Sequence, residues 1–192
     1  QMTASEQPLV SYTGGIALAY KVNRRFSIQS GLYYSSVGQM VEGINSYGGF
    51  REYDYTKGDR NFEVLTSTGT LYTNNADVFI ESVDGNRVIT SYTRDVFDPK
   101  KSELEYINNT LRQSLSYLEV PIILRYKIVD KTLDFNLIGG VSYNMLLDNS
   151  VYTIVEGGKY PIGATDGLNF LTISSSLGMG MEYNLSKKFS LN

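Results

Sequence analysis

At 192 residues and a formal net charge of -3, the chain has the length of one domain and too little charge bias to suggest a nucleic-acid partner. It contains no histidine and no cysteine, which excludes Ser-His and Cys-His nucleophile pairs, imidazole metal ligands, thiolate chemistry and disulfide staples. No apolar run approaches the ~20 residues that a membrane helix needs. No acid pair stands out as a hydrolase dyad, and the Gly139-Gly140, Gly178 and Gly180 glycines lie in strand-like segments rather than in a phosphate loop. The chain therefore reads as non-enzymatic, with no catalytic, cofactor-binding or metal-binding residues.

From Ser11 to Val22 the even positions (Tyr12, Gly14, Ile16, Leu18, Tyr20, Val22) are mostly large and apolar. The odd positions (Ser11, Thr13, Gly15, Ala17, Ala19, Lys21) are small or polar. A period of two predicts a β-strand, and its polar face is too small to fill a soluble core. An apolar face turned to lipid and a polar face turned to a lumen is the pattern of a transmembrane β-barrel. After Asn23-Arg24-Arg25 the pattern repeats in Phe26 to Val37, with Phe26, Ile28, Leu32 and Tyr34 on one face.

The next stretch, Gln39 to Ser114, reads as a long extracellular insertion. Val78 to Val83 and Arg87 to Tyr92 flank Asp84-Gly85-Asn86, which predicts a hairpin. Phe50 to Tyr55 and Phe62 to Tyr72 could add short strands, and Ser102-Glu103-Leu104-Glu105 has capping-box spacing before an amphipathic stretch to Leu111. Its rings (Tyr47, Phe50, Tyr53, Tyr55, Phe62, Tyr72) imply a recognition surface or a self-packed cap over the lumen, and their need for cover favours the cap.

Three further strands follow. Leu118, Val120, Ile122, Leu124, Tyr126 and Ile128 alternate with Tyr117, Glu119, Pro121, Ile123, Arg125 and Lys127. Leu133 to Met145 comes after the short turn at Asp130-Lys131-Thr132; beyond a second long loop, Leu147 to Asn169, a strand runs from about Phe170 to Leu185. A turn at Ser186-Lys187-Lys188 then opens a stub, Phe189 to Asn192.

Three short basic turns against two long loops predict periplasmic turns and external loops. Tyr20, Phe26, Tyr126, Phe135, Tyr183 and Phe189 flank the short turns, as an interfacial aromatic girdle requires. If the Asp130 turn pairs residues whose numbers sum to 261, Lys127 faces Asp134, Arg125 faces Asn136 and Glu119 faces Ser142. With Glu182 at a similar height, Glu119, Arg125, Lys127 and Asp134 form an inward polar network. A proton relay or substrate site would need the same residues, but a narrow lumen filled by side chains accounts for them as structure.

The run Tyr117-Leu118-Glu119-Val120-Pro121, continuing through an apolar strand to Arg125-Tyr126-Lys127, resembles the PorT-like outer-membrane β-barrel family of Bacteroidota. Gly14-Gly15 through Tyr20, Arg25 to Ser35 and Gly139 to Tyr143 add to the likeness. The first strand pair is most similar to the C-terminal barrels of anti-sigma factors that span both membranes. That branch implies an anchor or envelope sensor coupled to transcription.

The expected fold is thus all-β: an antiparallel up-and-down transmembrane barrel in the bacterial outer membrane, residues 1–192 forming a single domain. Without a signal peptide at Gln1 the chain reads as a processed form or a fragment. Five strands and a stub cannot close, so about eight strands are expected when complete. The partners implied are outer-membrane lipid and an envelope protein met through the external loops or the periplasmic side. A narrow channel or structural subunit of a transport or secretion complex is one alternative, and a soluble lipocalin-like binder another. Single-channel conductance separates the first from an anchor, and detergent dependence separates the second.

Overall fold

The computed structural model describes residues 6–50, 61–83, 85, 87–90, 101–129, 133–184 and 190–191. The elements in chain order are β1 (Glu6–Pro8), β2 (Tyr12–Lys21), β3 (Phe26–Gly48), β4 (Phe62–Thr66), β5 (Gly69–Thr73), β6 (Val78–Ser82), β7 (Val88–Thr90), β8 (Glu105–Val129), β9 (Leu133–Val155), β10 (Gly158–Thr165), β11 (Leu171–Asn184) and β12 (Ser190–Leu191). The fold is all-β and antiparallel. By its internal contacts the chain divides into two compact units, where the sequence suggested one domain.

One unit comprises Tyr12–Ser35, Ser116–Leu147 and Asn169–Asn192. Its strands pair in the order β2, β3, β8, β9, β11, β12. The turn between β2 and β3 is closed by the side chain of Asn23, whose Oδ1 accepts from the backbone N–H groups of Arg25 and Phe26, both at 2.8 Å. Such a short polar side chain satisfies turn amides that no ladder can reach. The β9 and β11 ladder runs without a shift from Leu171 opposite Met145 to Tyr183 opposite Leu133. The turns expected at Asp130-Lys131-Thr132 and Ser186-Lys187-Lys188 lie outside the described residues.

The other unit comprises Gln1–Ser11, Ser36–Leu115 and Asp148–Leu168. Here β3 pairs with β1 and β6, and β10 joins β9 to β5, followed by β4 and β7. Its core is apolar and aromatic: Val41, Ile44, Phe50, Phe62, Leu71, Val78, Ile80, Leu111, Val151 and Ile162 are buried with Tyr47 and Phe79. The rings meet edge to face, with Phe62 and Phe79 centroids 4.9 Å apart and Phe50 and Phe79 5.3 Å apart. This geometry sets a ring edge against a neighbouring π-face and adds to plain area burial.

Within this unit several expectations need correction. The described residues of Gln39 to Ser114 and of Leu147 to Asn169 are largely strand: β3 continues to Gly48, β8 begins at Glu105, and β9 and β10 form a hairpin through Gly158 opposite Val155. Both faces of these strand ends carry mixed residues, so the alternation that marks a lipid-facing strand fades while the backbone ladder continues. The capping-box segment is a turn followed by β8, because Tyr106, Ile107 and Thr110 suit a pleated strand and tertiary pairing outweighs a local cap. The strands around Gly85 exist, but among the described residues they do not pair as a hairpin: β6 bonds β3 and β7 bonds β4. Asp84 and Asn86 themselves lie outside the described residues, as do Tyr53 and Tyr55. The Phe62 to Tyr72 segment does supply two strands, β4 and β5, joined through Thr66 opposite Gly69.

Gly43 lies where β3 passes from pairing with β1 to pairing with β6. Its φ of +78° suits glycine. Buried positions shift from Gln39 and Val41 before it to Ile44 and Ser46 after it, as one extra residue in a strand requires.

Candidate functional site

Strict alternation gives each strand of the Tyr12–Ser35, Ser116–Leu147 and Asn169–Asn192 unit two faces, and their polarity is inverted relative to a soluble protein. Ile122, Leu124, Tyr126 and Ile128 of β8 are exposed, as are Phe135, Leu137, Val141 and Tyr143 of β9. Leu171, Ile173, Leu177, Met179 and Met181 continue that face on β11, and Leu18 of β2 is 84% exposed. The opposite face holds the polar groups, with Asp134 and Asn136 buried and Arg125, Lys127 and Ser142 half-buried.

On this polar face Lys127 Nζ forms an ion pair and hydrogen bond with Asp134 Oδ2. Asp134 is fully buried while Lys127 keeps 22% of its side chain exposed. Glu182 is the Cα partner of Asp134 across β9 and β11. Arg125 and Lys127 line one cleft of about 180 Å³ together with Asn136, Lys21, Arg24 and Arg25. Glu119, half-buried on β8, is not among the lining residues. Ser30 Oγ donates to the Pro121 carbonyl at 2.8 Å, tying β3 to β8.

Of the expected girdle, Tyr20, Tyr126 and Phe135 are exposed. Phe26 is half-buried and lines the basic cleft, while Tyr183 stands opposite Leu191 and Leu133 by Cα pairing. Phe189 lies outside the described residues. No group of acids suited to a metal ion occurs among the described residues.

The other unit holds a partly buried polar chain that the sequence reading missed. Gln39 Nε2 donates to Thr68 Oγ1 at 2.7 Å, Thr68 Oγ1 to Gln113 Oε1 at 2.9 Å, and Gln113 Nε2 to Thr165 Oγ1 at 2.6 Å. Asn149 closes it, its amide donating to the Thr165 carbonyl at 2.9 Å and its Oδ1 accepting from Thr165 N at 2.8 Å. A signal was present: Gln113 shares a face with Leu111 and Leu115, where a polar residue must find partners. Glu6 accepts from Ser67 and pairs with Arg87 at 2.8 Å. Burial alone would raise its carboxyl, but the Ser67 hydrogen bonds and the Arg87 charge outweigh that and hold its pKa below the ordinary value. Burial also pushes the Tyr47 phenol up, with the Glu81 charge and Tyr106 adding to it.

No family model matches the chain, and neither a curated protein nor a solved structure does.

Proposed function

We propose that the Tyr12–Ser35, Ser116–Leu147 and Asn169–Asn192 unit is membrane-spanning, part of an outer-membrane β-barrel that serves as an anchor or envelope sensor. The observation that carries this reading is the inverted polarity: a row of exposed Leu, Ile, Val, Met and Tyr over a buried aspartate and asparagine. In water such a surface would be an aggregation liability, and in hydrocarbon it is the stable arrangement.

The length of the apolar row agrees with a bilayer. From Leu118 to Ile128 the outer face of β8 is apolar, ~33 Å of strand at ~3.3 Å per residue, or ~25 Å along the membrane normal at a tilt of ~40°. Beyond it the same alternation reaches Ser116, which is buried, then Ser114 and Arg112, so the apolar row ends there. Among the described residues β2 pairs only with β3. An open edge in lipid leaves backbone groups unsatisfied at several kcal/mol each, so closure by further strands to about eight is part of the proposal.

The likeness of the Tyr117 to Lys127 strand to PorT-like barrels supports the same reading. Membership of the anti-sigma branch would make the protein a sensor coupled to transcription, with the Ser36–Leu115 and Asp148–Leu168 unit as its water-exposed working part. That unit has an ordinary apolar core and needs no lipid to bury it.

Replacing Leu124 by arginine should cost about 2–4 kcal/mol in refolding into phosphatidylcholine vesicles. The same change at exposed Ala76, outside the apolar row, should stay within about 0.5 kcal/mol. Equal tolerance at the two positions, measured by denaturant titration of the vesicle-bound chain, would contradict a lipid-facing Leu124.

A further inference from the structure

The turn between β2 and β3 brings Lys21, Arg24 and Arg25 beside Arg125 and Lys127 of β8 around the cleft of about 180 Å³. Among the described residues no acidic side chain lines it. Lys127 has Asp134 as its counter-charge, whereas Lys21, Arg24, Arg25 and Arg125 make no ion pair among the described residues. Four unmatched cations around one small cavity repel one another, the more strongly where protein displaces water.

A second observation points into the same cavity. Asn136 is only 3% exposed, lines the cleft, and its Oδ1 has no hydrogen-bond partner. A half-turn of the carboxamide presents its NH₂ group to an acceptor instead. Buried side-chain polar atoms are rarely left without a partner, so an occupant that hydrogen-bonds to the Asn136 carboxamide is expected here, and one that accepts meets its NH₂ group after that half-turn.

We propose that this cleft is an oxyanion site that binds a phosphate group, through Arg24, Arg25 and Arg125 with Lys21 and Asn136. Guanidinium forks match phosphate oxygens in pairs, and the phosphate group offers several such oxygens to several cations at once. The volume lies below the ~300 Å³ of a pocket for a drug-sized ligand, so it takes the phosphate group and not a nucleotide. That group has two sources, inorganic phosphate or the headgroup of an anionic phospholipid. Exposed Tyr20 and Tyr126 flank the same strand ends, where rings of their kind stand at headgroup level. The lipid source rests on the membrane-spanning reading, while phosphate binding does not.

The test uses the full chain in a phosphate-free, uncharged maltoside detergent, with folding checked by circular dichroism. Inorganic phosphate is titrated calorimetrically, then again in the presence of phosphatidylglycerol. Binding that weakens at least ~10-fold in both Arg125→Gln and Arg24→Gln, and not in Lys159→Gln, is the expected result. Arg24 lies in the exposed turn, so its variant tests the site even if Arg125→Gln fails to fold. Displacement of phosphate by phosphatidylglycerol assigns the lipid source, and phosphate binding without displacement assigns the free anion. A folded wild-type chain that binds neither, or equal weakening in Lys159→Gln, overturns the site. Because this readout needs no bilayer, its failure leaves the Leu124→Arg comparison standing, and the reverse holds too.

Discussion

Phe62→Ala should destabilise the Ser36–Leu115 and Asp148–Leu168 unit by about 3–5 kcal/mol, the range for deleting a buried aromatic ring. Phe62 is 0% exposed and meets Phe50 and Phe79 at 5.7 and 4.9 Å between ring centroids. Its β4 strand is only five residues long and holds β5 and β7, so little else can take up the loss. Thermal melting followed by near-ultraviolet circular dichroism reads the effect, because the clustered rings supply the signal. A loss under about 1 kcal/mol would mean that this core does not hold the unit together.

The second large effect belongs to the ion pair. Lys127→Met should cost about 3 kcal/mol, the lower end for removing one partner of a buried pair, because Lys127 itself keeps 22% of its side chain exposed. Methionine preserves the stem of the side chain and removes the ammonium beside a fully buried carboxylate. Adding Asp134→Leu should recover part of that loss, since an apolar pair of similar volume carries no desolvation cost. The double-mutant cycle on refolding stability isolates the coupling. A coupling near zero would show that the contact does not steady the polar face.

Particular residues show what was legible in the amino-acid order. The alternation at Leu118 to Ile128 and at Leu133 to Met145 marked two strands whose apolar faces are exposed. The turn arithmetic set Lys127 against Asp134, and the two do meet. Arg125 and Asn136, paired by the same arithmetic, line one cleft. The β3, β8 and β9 ends beyond the apolar row escaped the reading, because Asn108, Asn109, Ser114 and Asp148 interrupt a period-two pattern without interrupting the backbone ladder.

The two local signals that misled, the capping box at Ser102 and the turn at Gly85, describe what a short segment favours alone. Each lost to long-range pairing, β8 with β3 and β9, β6 with β3, and β7 with β4. The chain from Gln39 to Asn149 left no signal beyond Gln113, for a different reason. Its members lie far apart in sequence, and only the fold makes them hydrogen-bond neighbours.

A membrane-spanning unit requires that the exposed apolar rows meet lipid. The chain has no cysteine, so Leu124→Cys and Ala76→Cys each give one attachment point for a fluorophore. Refolded into vesicles whose acyl chains carry bromine, the probe at Leu124 should be strongly quenched and blue-shifted, and the probe at Ala76 neither. A folded chain with no quenching at Leu124, monodisperse in buffer without detergent, would contradict the membrane-spanning reading.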